Sequence, residues 1–256
     1  MSTKARSTRE IPSVSVSRNF AERRKLILPR LGSGVRFASP APSFSDRLPS
    51  DCAAVFAPRG IAANGMRMQI LRTRDRVSTP WKNGGGSTAE IAVSPAGAGL
   101  NDFDWRVSVA QLERGGPFSV FPGIDRNLTL LSGRVSLAIA GRDAVELSPG
   151  SPSVEFAGNA ETSATIINSP ASDLNVMTRH GAFNARVSRR HGAGPMDIDS
   201  AVETAIVYFL TDATAHNGGA DIGLAAGDAL RGTPAEYSDF VLHSDSAFYL
   251  IEISAL

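Results

Sequence analysis

The chain has 256 residues, of which 42% are hydrophobic and 20% are charged, and its formal net charge is +1 at pH 7. This length and balance are ordinary for a globular protein with a substantial core. A net charge so close to zero gives no indication of binding to nucleic acid or to an anionic membrane, and the longest apolar runs are far shorter than the roughly 20 residues of a membrane-spanning helix.

Residues 1–65 differ sharply in composition from the rest of the chain. They carry 11 Lys and Arg against 4 acids, a net charge of +7, so the remaining residues carry a net charge of −6. They are rich in Ser, Arg and Pro without a hydrophobic period, which favours a disordered basic tail. A misassigned start is the alternative, because Met66 and Met68 stand where the folded pattern begins. The composition also resembles a transit peptide, but two early glutamates argue against that.

Cys52 is the single cysteine, which excludes a disulfide and a thiolate metal cluster within one chain. One lone thiol fits a reducing compartment. The N-terminus also lacks the apolar segment of a secretory signal. We therefore expect a soluble, cytoplasmic protein with no membrane partner and no nucleic-acid partner.

From Met68 onward the pattern predicts β-strands almost throughout. Short runs of Val, Ile, Leu, Phe and Thr predict strands at residues 69–72, 89–93, 105–110, 127–131 and 134–140. Turn-forming residues separate them at 83–86, 115–117, 122–123, 132–133 and 141–143. Short strands at this spacing are typical of an all-β sandwich or barrel.

Two segments about eighty residues apart share one rhythm. LSGRVSLAIAGRDAVELSPG (131–150) and FLTDATAHNGGADIGLAAGD (209–228) each read as a strand, a tight turn, a second strand and a Gly-containing corner. This weak repeat predicts two related β barrels in tandem. We place the first barrel at residues 66–180 and the second at residues 181–256.

The stretch PWKNGGGSTAEI (80–91) contains three consecutive glycines beside a lysine. A phosphate-binding loop would place its lysine after the glycines at the start of a helix, whereas Lys82 precedes them and a strand pattern follows. The dinucleotide fingerprint fails as well, because Ala89 stands where it needs glycine. A wide hairpin is the simplest interpretation. Three glycines nevertheless cost more backbone entropy than a turn requires, which favours a backbone that lines a site.

Three stretches together resemble the HutD family, which includes the Ves proteins: PWKNGGGSTAEI, FDWRVSVAQLERGGPFSVFPGIDRNLTLLSG (103–133) and SDLNVMTRHGAF (172–183). The resemblance covers residues 68–256. It implies two cupin-type barrels in one chain, a bicupin. It also implies a link to histidine utilisation in bacteria, where HutD is thought to restrain the pathway by sensing an intermediate such as urocanate or N-formylglutamate.

The histidines do not predict a metal centre. Enzymatic cupins hold a metal with two closely spaced histidines, a glutamate and a later histidine, whereas the four histidines here are scattered and contain no His-x-His pair. A site of two histidines and one carboxylate could still assemble in space. We expect turn and surface histidines, with no metal and no cofactor.

The segment after Asp104 predicts an anion site. Strand alternation puts Trp105, Val107 and Val109 on one face, with Arg106 and Ser108 on the other. An arginine in solvent is the default, but an inward guanidinium would need a carboxylate from the protein or a ligand. Its planar fork suits two-point binding of a carboxylate.

The predicted ligand-binding residues surround this arginine. Glu90 is a candidate partner for it or for a ligand N–H, and Trp81 would stack on a flat ligand or plug the barrel end. The full set is Trp81, Asn83, Gly84, Gly85, Gly86, Thr88, Glu90, Arg106, Ser108, Asn175 and Arg179. Asp125 and Arg126 are assigned structural roles.

Three hypotheses for function follow. The first is a metal-independent bicupin that binds a small organic acid and modulates histidine catabolism; a homodimer is compatible with it. The second is a hydrolase or isomerase of a histidine-pathway intermediate with Glu90 as general acid or base. The third is a scaffold for another protein, which would require a large exposed apolar patch.

Overall fold

The structure is a computed structural model and describes residues 68–256. The predicted tail or misassigned start at residues 1–65, with Cys52, lies outside the described residues. Within the described range the chain is built from antiparallel strands in two sheets, with two short 3-10 helices at Thr73–Asp75 and Pro234–Tyr237. The all-β prediction is confirmed, and the two predicted tandem barrels correspond to two curled sheets, each a half-barrel.

The first sheet holds eight strands in the described part of the chain. They are β2 (Ser78–Pro80), β3 (Gly86–Ser94), β4 (Trp105–Leu112), β5 (Gly116–Pro117), β6 (Ile124–Ile139), β7 (Val145–Leu147), β8 (Val154–Ala157) and β9 (Thr162–Arg179). The main path runs β2-β3-β4-β9-β6-β7, while β5 pairs with β9 and β8 pairs with β6.

The second sheet holds seven described strands. They are β1 (Gln69–Leu71), β10 (Phe183–Pro195), β11 (Thr204–Phe209), β12 (Ala213–Asn217), β13 (Ala220–Leu224), β14 (Ala229–Gly232) and β15 (Val241–Ala255). The main path runs β1-β14-β11-β15-β12-β13, and β10 pairs with β15.

The repeated rhythm of the sequence corresponds to equivalent hairpins. The pair β6-β7 closes one end of the first path, and the pair β12-β13 closes the same end of the second path. Both paths have six strands, and in each the hairpin follows a long central strand, β9 or β15. The two sheets are therefore related in topology as well as in sequence rhythm.

Strand β1 departs from the order of the chain. It precedes the whole first sheet in sequence but pairs with β14 of the second sheet, with Leu71 opposite Ala229. The junction is tied by Arg72 Nη1, which donates to Asp228 Oδ2 at 2.8 Å, and by the Thr73 N–H, which donates to Asp228 Oδ1 at 2.7 Å. Separate domains at residues 66–180 and 181–256 stay a prediction.

One apolar cluster joins the two sheets. In β4, Trp105 and Val107 are buried in it, together with Ile206 of β11 and Ile251 of β15. The alternate residues of β11, such as Val207, belong instead to the core inside the second sheet. Strand alternation thus gives the second sheet two buried faces, one on the first sheet and one on its own interior.

The predicted turn at residues 132–133 is wrong, because β6 passes through it as one strand. The pairing of β6 with β9 shifts register between Leu130 and Arg134, so this segment is a β-bulge. Gly133 has φ +77°, and a Cβ at this position would lie 2.7 Å from the Pro170 carbonyl oxygen. The same Ser-Gly chemistry that forms turns here lets two backbones approach closely.

Within residues 68–256, no helix is both long enough and apolar enough to cross a membrane.

Candidate ligand cavity in the first sheet

A cavity of about 940 Å³ lies inside the curl of the first sheet. Strands β3, β4, β9 and β6 supply its wall, and the segments 79–83, 98–103 and 117–122 supply its rim. The interior of the second sheet, by contrast, is filled by large apolar side chains including Phe209, Phe240 and Phe248. The space for a ligand is therefore in the first sheet.

Cross-strand pairing arranges the wall in rows. In one row Arg106 of β4 and Arg126 of β6 stand on either side of Met177 of β9. Because neighbouring strands are about 4.8 Å apart, the two arginine backbones are about 10 Å apart. The next row pairs Ser108 with Asn175, and the third contains Asp173. Charged and neutral polar side chains thus face one space.

The charge of the lining is predominantly positive. Four cationic side chains line the cavity, and they face two carboxyl groups. The cations are Lys82, Arg106, Arg126 and Arg179, and the carboxyl groups are Glu90 and Asp173. This balance favours an anionic ligand.

Arg106 points into the cavity with a partner. Its Nε donates to Glu90 Oε2 at 2.8 Å, and its side chain is only 14% exposed whereas that of Glu90 is 41% exposed. A register shift after Glu90 in β3 places the carboxylate opposite Ser108 while Ile91 remains in the core between the sheets. The charge of the guanidinium is thus balanced within the protein, and the group still has N–H donors other than Nε.

Arg126 is buried more deeply and is poorly satisfied. It is 5% exposed, its Nε has no hydrogen-bond partner, and Nη1 reaches only the Ser119 carbonyl, at 3.5 Å. The guanidinium carbon lies 5.0 Å from the ring centroid of Phe118 and 5.1 Å from that of Phe156. Burial lowers the pKa of Arg126 to about 10, opposed by the charge of Asp173. The group therefore stays cationic at neutral pH with hydrogen-bonding capacity unused.

Asp173 is the buried acid of the cavity. Asp173 is 3% exposed, and its Oδ1 has no hydrogen-bond partner. Burial raises the pKa of Asp173 to about 7, although the cation of Arg126 acts in the opposite direction. The carboxyl group can therefore exchange a proton near neutral pH. Asn175, two residues along the same face, also has an Oδ1 that is buried without a partner.

The rim residues are held by contacts within the protein. The Trp81 indole N–H donates to Thr88 Oγ1 at 2.8 Å, and Trp81 packs on the apolar core of the first sheet. Asn83 Oδ1 accepts from the Gly85 N–H at 3.0 Å. Arg179 Nη2 donates to the Phe103 carbonyl at 2.7 Å. These groups shape the opening.

The three glycines do not line the cavity. A Cβ on Gly86 would lie 2.1 Å from the Gln111 carbonyl oxygen, so glycine is required where β3 meets β4. The Gly85 carbonyl accepts from the N–H groups of Glu113 and Arg114. Gly84 has φ +64°, which a glycine adopts freely. The run thus shapes the hairpin and its packing.

The structure brings eight of the eleven predicted site residues to the cavity lining. They are Trp81, Asn83, Thr88, Glu90, Arg106, Ser108, Asn175 and Arg179; the remaining three are Gly84, Gly85 and Gly86. Their role in binding stays a prediction.

Sequence reasoning missed the two buried charged groups of the cavity, Arg126 and Asp173. Arg126 was assigned a structural role, and its inward orientation depends on the pairing of β6 with β9. For Asp173 a signal was present, because Asp173, Asn175 and Met177 alternate with Leu174 and Val176 in one strand. Polar residues at every second position of an otherwise apolar strand indicate a buried polar face.

The lining does not fit the donor set of a metal-bearing cupin. None of the described residues that line the cavity is a histidine. Its two carboxyl groups, Glu90 and Asp173, stand beside arginines.

The fold and the cavity define a protein of two curled antiparallel sheets, with a ligand-sized cavity in the first sheet. The family model described as HutD matches residues 73–250. The chain belongs to the HutD family.

Related proteins agree with this assignment. A segment of 122 residues is 35% identical to an uncharacterized 21.2 kDa protein in the hutC 3′ region of Pseudomonas putida, covering 47% of this chain and 63% of that protein. A segment of equal length is 39% identical to the protein Ves of Citrobacter koseri, covering 47% of this chain and 62% of that protein. The matched segments span less than two thirds of these relatives.

A solved structure matches over a longer range. HutD from Pseudomonas fluorescens SBW25 superposes with a TM-score of 0.62 at 29% identity, covering 74% of this chain and all of that chain. The likeness therefore includes both sheets.

Proposed function

We propose that this protein binds a small carboxylate metabolite in the cavity of the first sheet, and that binding modulates histidine utilisation. The observation that carries the proposal is that the cavity lining has more cationic than anionic side chains and also contains buried polar atoms without hydrogen-bond partners. Each unsatisfied buried group costs about 1–3 kcal/mol. A ligand that hydrogen-bonds them would recover part of that cost.

The geometry supports an organic acid with a second polar group. A ligand carboxylate would lie near Arg106 and Arg126, whose guanidinium groups face one row of the wall. An N–H donor elsewhere on the ligand would meet Oδ1 of Asn175 or of Asp173. Urocanate and N-formylglutamate each combine a carboxylate with an N–H group, and the family resemblance suggests both.

Calorimetric titration tests this function directly. The wild-type protein should bind one equivalent of urocanate or N-formylglutamate, and Arg106→Ala should weaken binding at least about tenfold. Arg134→Ala is the matched control, because Arg134 pairs with Glu146 at 2.9 Å on an exposed strand. Binding that is unchanged in Arg106→Ala, or absent in the wild type, would contradict the proposal.

An enzyme of a histidine-pathway intermediate is the second candidate, and Asp173 favours it. A carboxyl group whose pKa is raised to about 7 inside a cavity suits a general acid or base. Glu90 suits that role less well, because it is paired with Arg106. Turnover of either acid by pure protein, lost in Asp173→Asn, would support the enzyme; stoichiometric binding without turnover would support the sensor.

A further inference from the structure

Three side chains of the types that commonly bind metals lie close together on the outer face of the second sheet. They are His216 of β12, Asp221 of β13 and His243 of β15. Ala213 and Ala215 of β12 face the core inside this sheet, so His216, which alternates with them, faces the opposite side. The group is therefore distinct from the cavity of the first sheet.

Strand pairing brings the three side chains together. His216 lies directly opposite Asp221, and its Nδ1 is 2.9 Å from Asp221 Oδ1. On its other side His216 pairs with Val241, and His243 is the diagonal neighbour on the same face. The two imidazole rings meet edge to face with centroids 5.9 Å apart. All three positions are on strands, which hold them in fixed register.

The spacing of the donor atoms is close to that of a metal site. One ligand atom from each of the three side chains lies within 4.8 Å of the others. Donors at about 2.1 Å from a tetrahedral ion are about 3.4 Å from one another. Side-chain rotation can supply the difference, because Asp221 and His243 are exposed and His216 is partly exposed.

We propose that His216, Asp221 and His243 form a surface site for a divalent transition metal such as Zn²⁺ or Ni²⁺. Two imidazoles and one carboxylate suit these ions, whereas Mg²⁺ and Ca²⁺ prefer oxygen ligands. Three protein ligands leave coordination positions open to water or to another molecule. The site departs from the sequence-based expectation of no metal, which rested on spacing along the chain.

One hydrogen bond opposes binding and sets its expected behaviour. The Gly219 N–H donates to Nε2 of His216 at 3.2 Å, so neutral His216 carries its proton on Nδ1, towards Asp221. A metal at Nδ1 must displace that proton to Nε2 and break the Gly219 bond, and a metal at Nε2 must break it directly. Metal binding should therefore be weaker than in a closed structural site, because it costs the hydrogen bond from Gly219.

Metal titration of the untagged full chain, after treatment with a chelator, tests the proposal. Calorimetry with Zn²⁺ and with Ni²⁺ should give one equivalent bound, and His243→Gln and Asp221→Asn should each weaken binding at least about tenfold. Circular dichroism confirms that each variant is folded. His191→Gln is the matched control, because His191 is also exposed beside an aspartate, Asp245, at 3.3 Å.

The outcomes separate this proposal from the proposed function. Arg106→Ala should bind metal like the wild type, and His243→Gln should bind the organic acid like the wild type. A wild type that binds neither ion, a double variant of His216→Gln and His243→Gln that binds as well as the wild type, or an equal loss in His191→Gln would overturn the metal site.

Discussion

Arg106 and Glu90 form a 2.8 Å ion pair across β4 and β3, and both side chains line the cavity of the first sheet. The cation is mostly buried and the carboxylate is partly exposed. In the absence of ligand, Glu90 therefore accepts the Nε donor of Arg106 and balances part of its charge. A ligand carboxylate competes with it for the guanidinium.

Glu90→Gln should consequently strengthen the binding of an organic acid. Removal of the competing charge leaves the guanidinium of Arg106 without a carboxylate partner. An ion pair as exposed as this one contributes up to about 1 kcal/mol. The dissociation constant of the organic acid should therefore fall about two- to fivefold. Calorimetry measures it, with Glu146→Gln as the control because Glu146 pairs with Arg134 in solvent. Weaker binding in Glu90→Gln would mean that Glu90 itself contacts the ligand.

Asp173 makes stability depend on pH. Its pKa of about 7 in the folded protein lies above the ordinary value of 3.8, so between these values the folded state keeps a proton that the unfolded chain releases. Stability that is fully present below pH 3.8 is therefore lost as pH rises towards 7, by at most about 1.4 kcal/mol per pH unit. Urea denaturation from pH 4 to 8 measures the free energy of unfolding, and Asp173→Asn should not show this decrease with rising pH. Parallel profiles for the two proteins would contradict it.

The same carboxyl group should make ligand binding pH-dependent. Ionised Asp173 repels an anionic ligand, whereas protonated Asp173 does not. Binding of an organic acid should weaken above pH 7 and be coupled to proton uptake, and Asp173→Asn should remove both effects. Calorimetry in buffers of different ionisation enthalpy counts the protons; no uptake at pH 7–8 would exclude this coupling.

Gly86 should tolerate no side chain. A Cβ there would lie 2.1 Å from the Gln111 carbonyl oxygen, so Gly86→Ala must displace β4 and should cost about 3 kcal/mol or more. Gly116→Ala is the control, since a Cβ on Gly116 meets nothing within 4 Å and its cost should be within about 0.5 kcal/mol. Thermal unfolding distinguishes them, and equal midpoints would refute the steric argument.

Arg72 should matter far more than its neighbour Arg74. Arg72 pairs with Asp228, whose side chain is 3% exposed, whereas the contact of Arg74 with Asp75 is exposed and 3.8 Å long. Arg72→Ala should lower the free energy of unfolding by about 1–3 kcal/mol, and Arg74→Ala should change it little. Urea denaturation measures both. Comparable losses would show that β1 is held by other contacts.

Asp228 adds an acid dependence to that junction. Burial acts to raise the pKa of Asp228, but hydrogen bonds from Thr73, Arg72 and Ala225 outweigh it and hold the pKa below 3.8. The stability contributed by ionised Asp228 is thus present above pH 3.8 and is lost as pH falls below it.

Strand alternation predicted much of the cavity wall. In residues 105–110 it separated the face of Trp105 from the face of Arg106, and the structure places the first between the sheets and the second in the cavity. This worked because alternation along one strand separates its two faces, although it left open whether the face of Arg106 met solvent or the interior.

Pairing between distant strands could not be predicted in the same way. Whether Arg126 faces inward depends on its position opposite Met177, 51 residues later in the sequence, and no local pattern specifies that register. The bulge at Gly133 was mistaken for a turn because a glycine that permits close packing has the same local chemistry as one that permits a turn. Likewise His216 and His243 meet only because β12 and β15 are adjacent.

The position of β1 in the second sheet has a consequence for folding during synthesis. Arg72 and Asp228 are 156 residues apart in sequence, so the first described strand leaves the ribosome long before its partner exists. Contacts between residues so far apart in sequence slow folding, because the chain loses conformational entropy before the contact forms and stabilises it. The nascent protein therefore cannot complete its second sheet before β14 and β15 have been synthesised, near the end of translation.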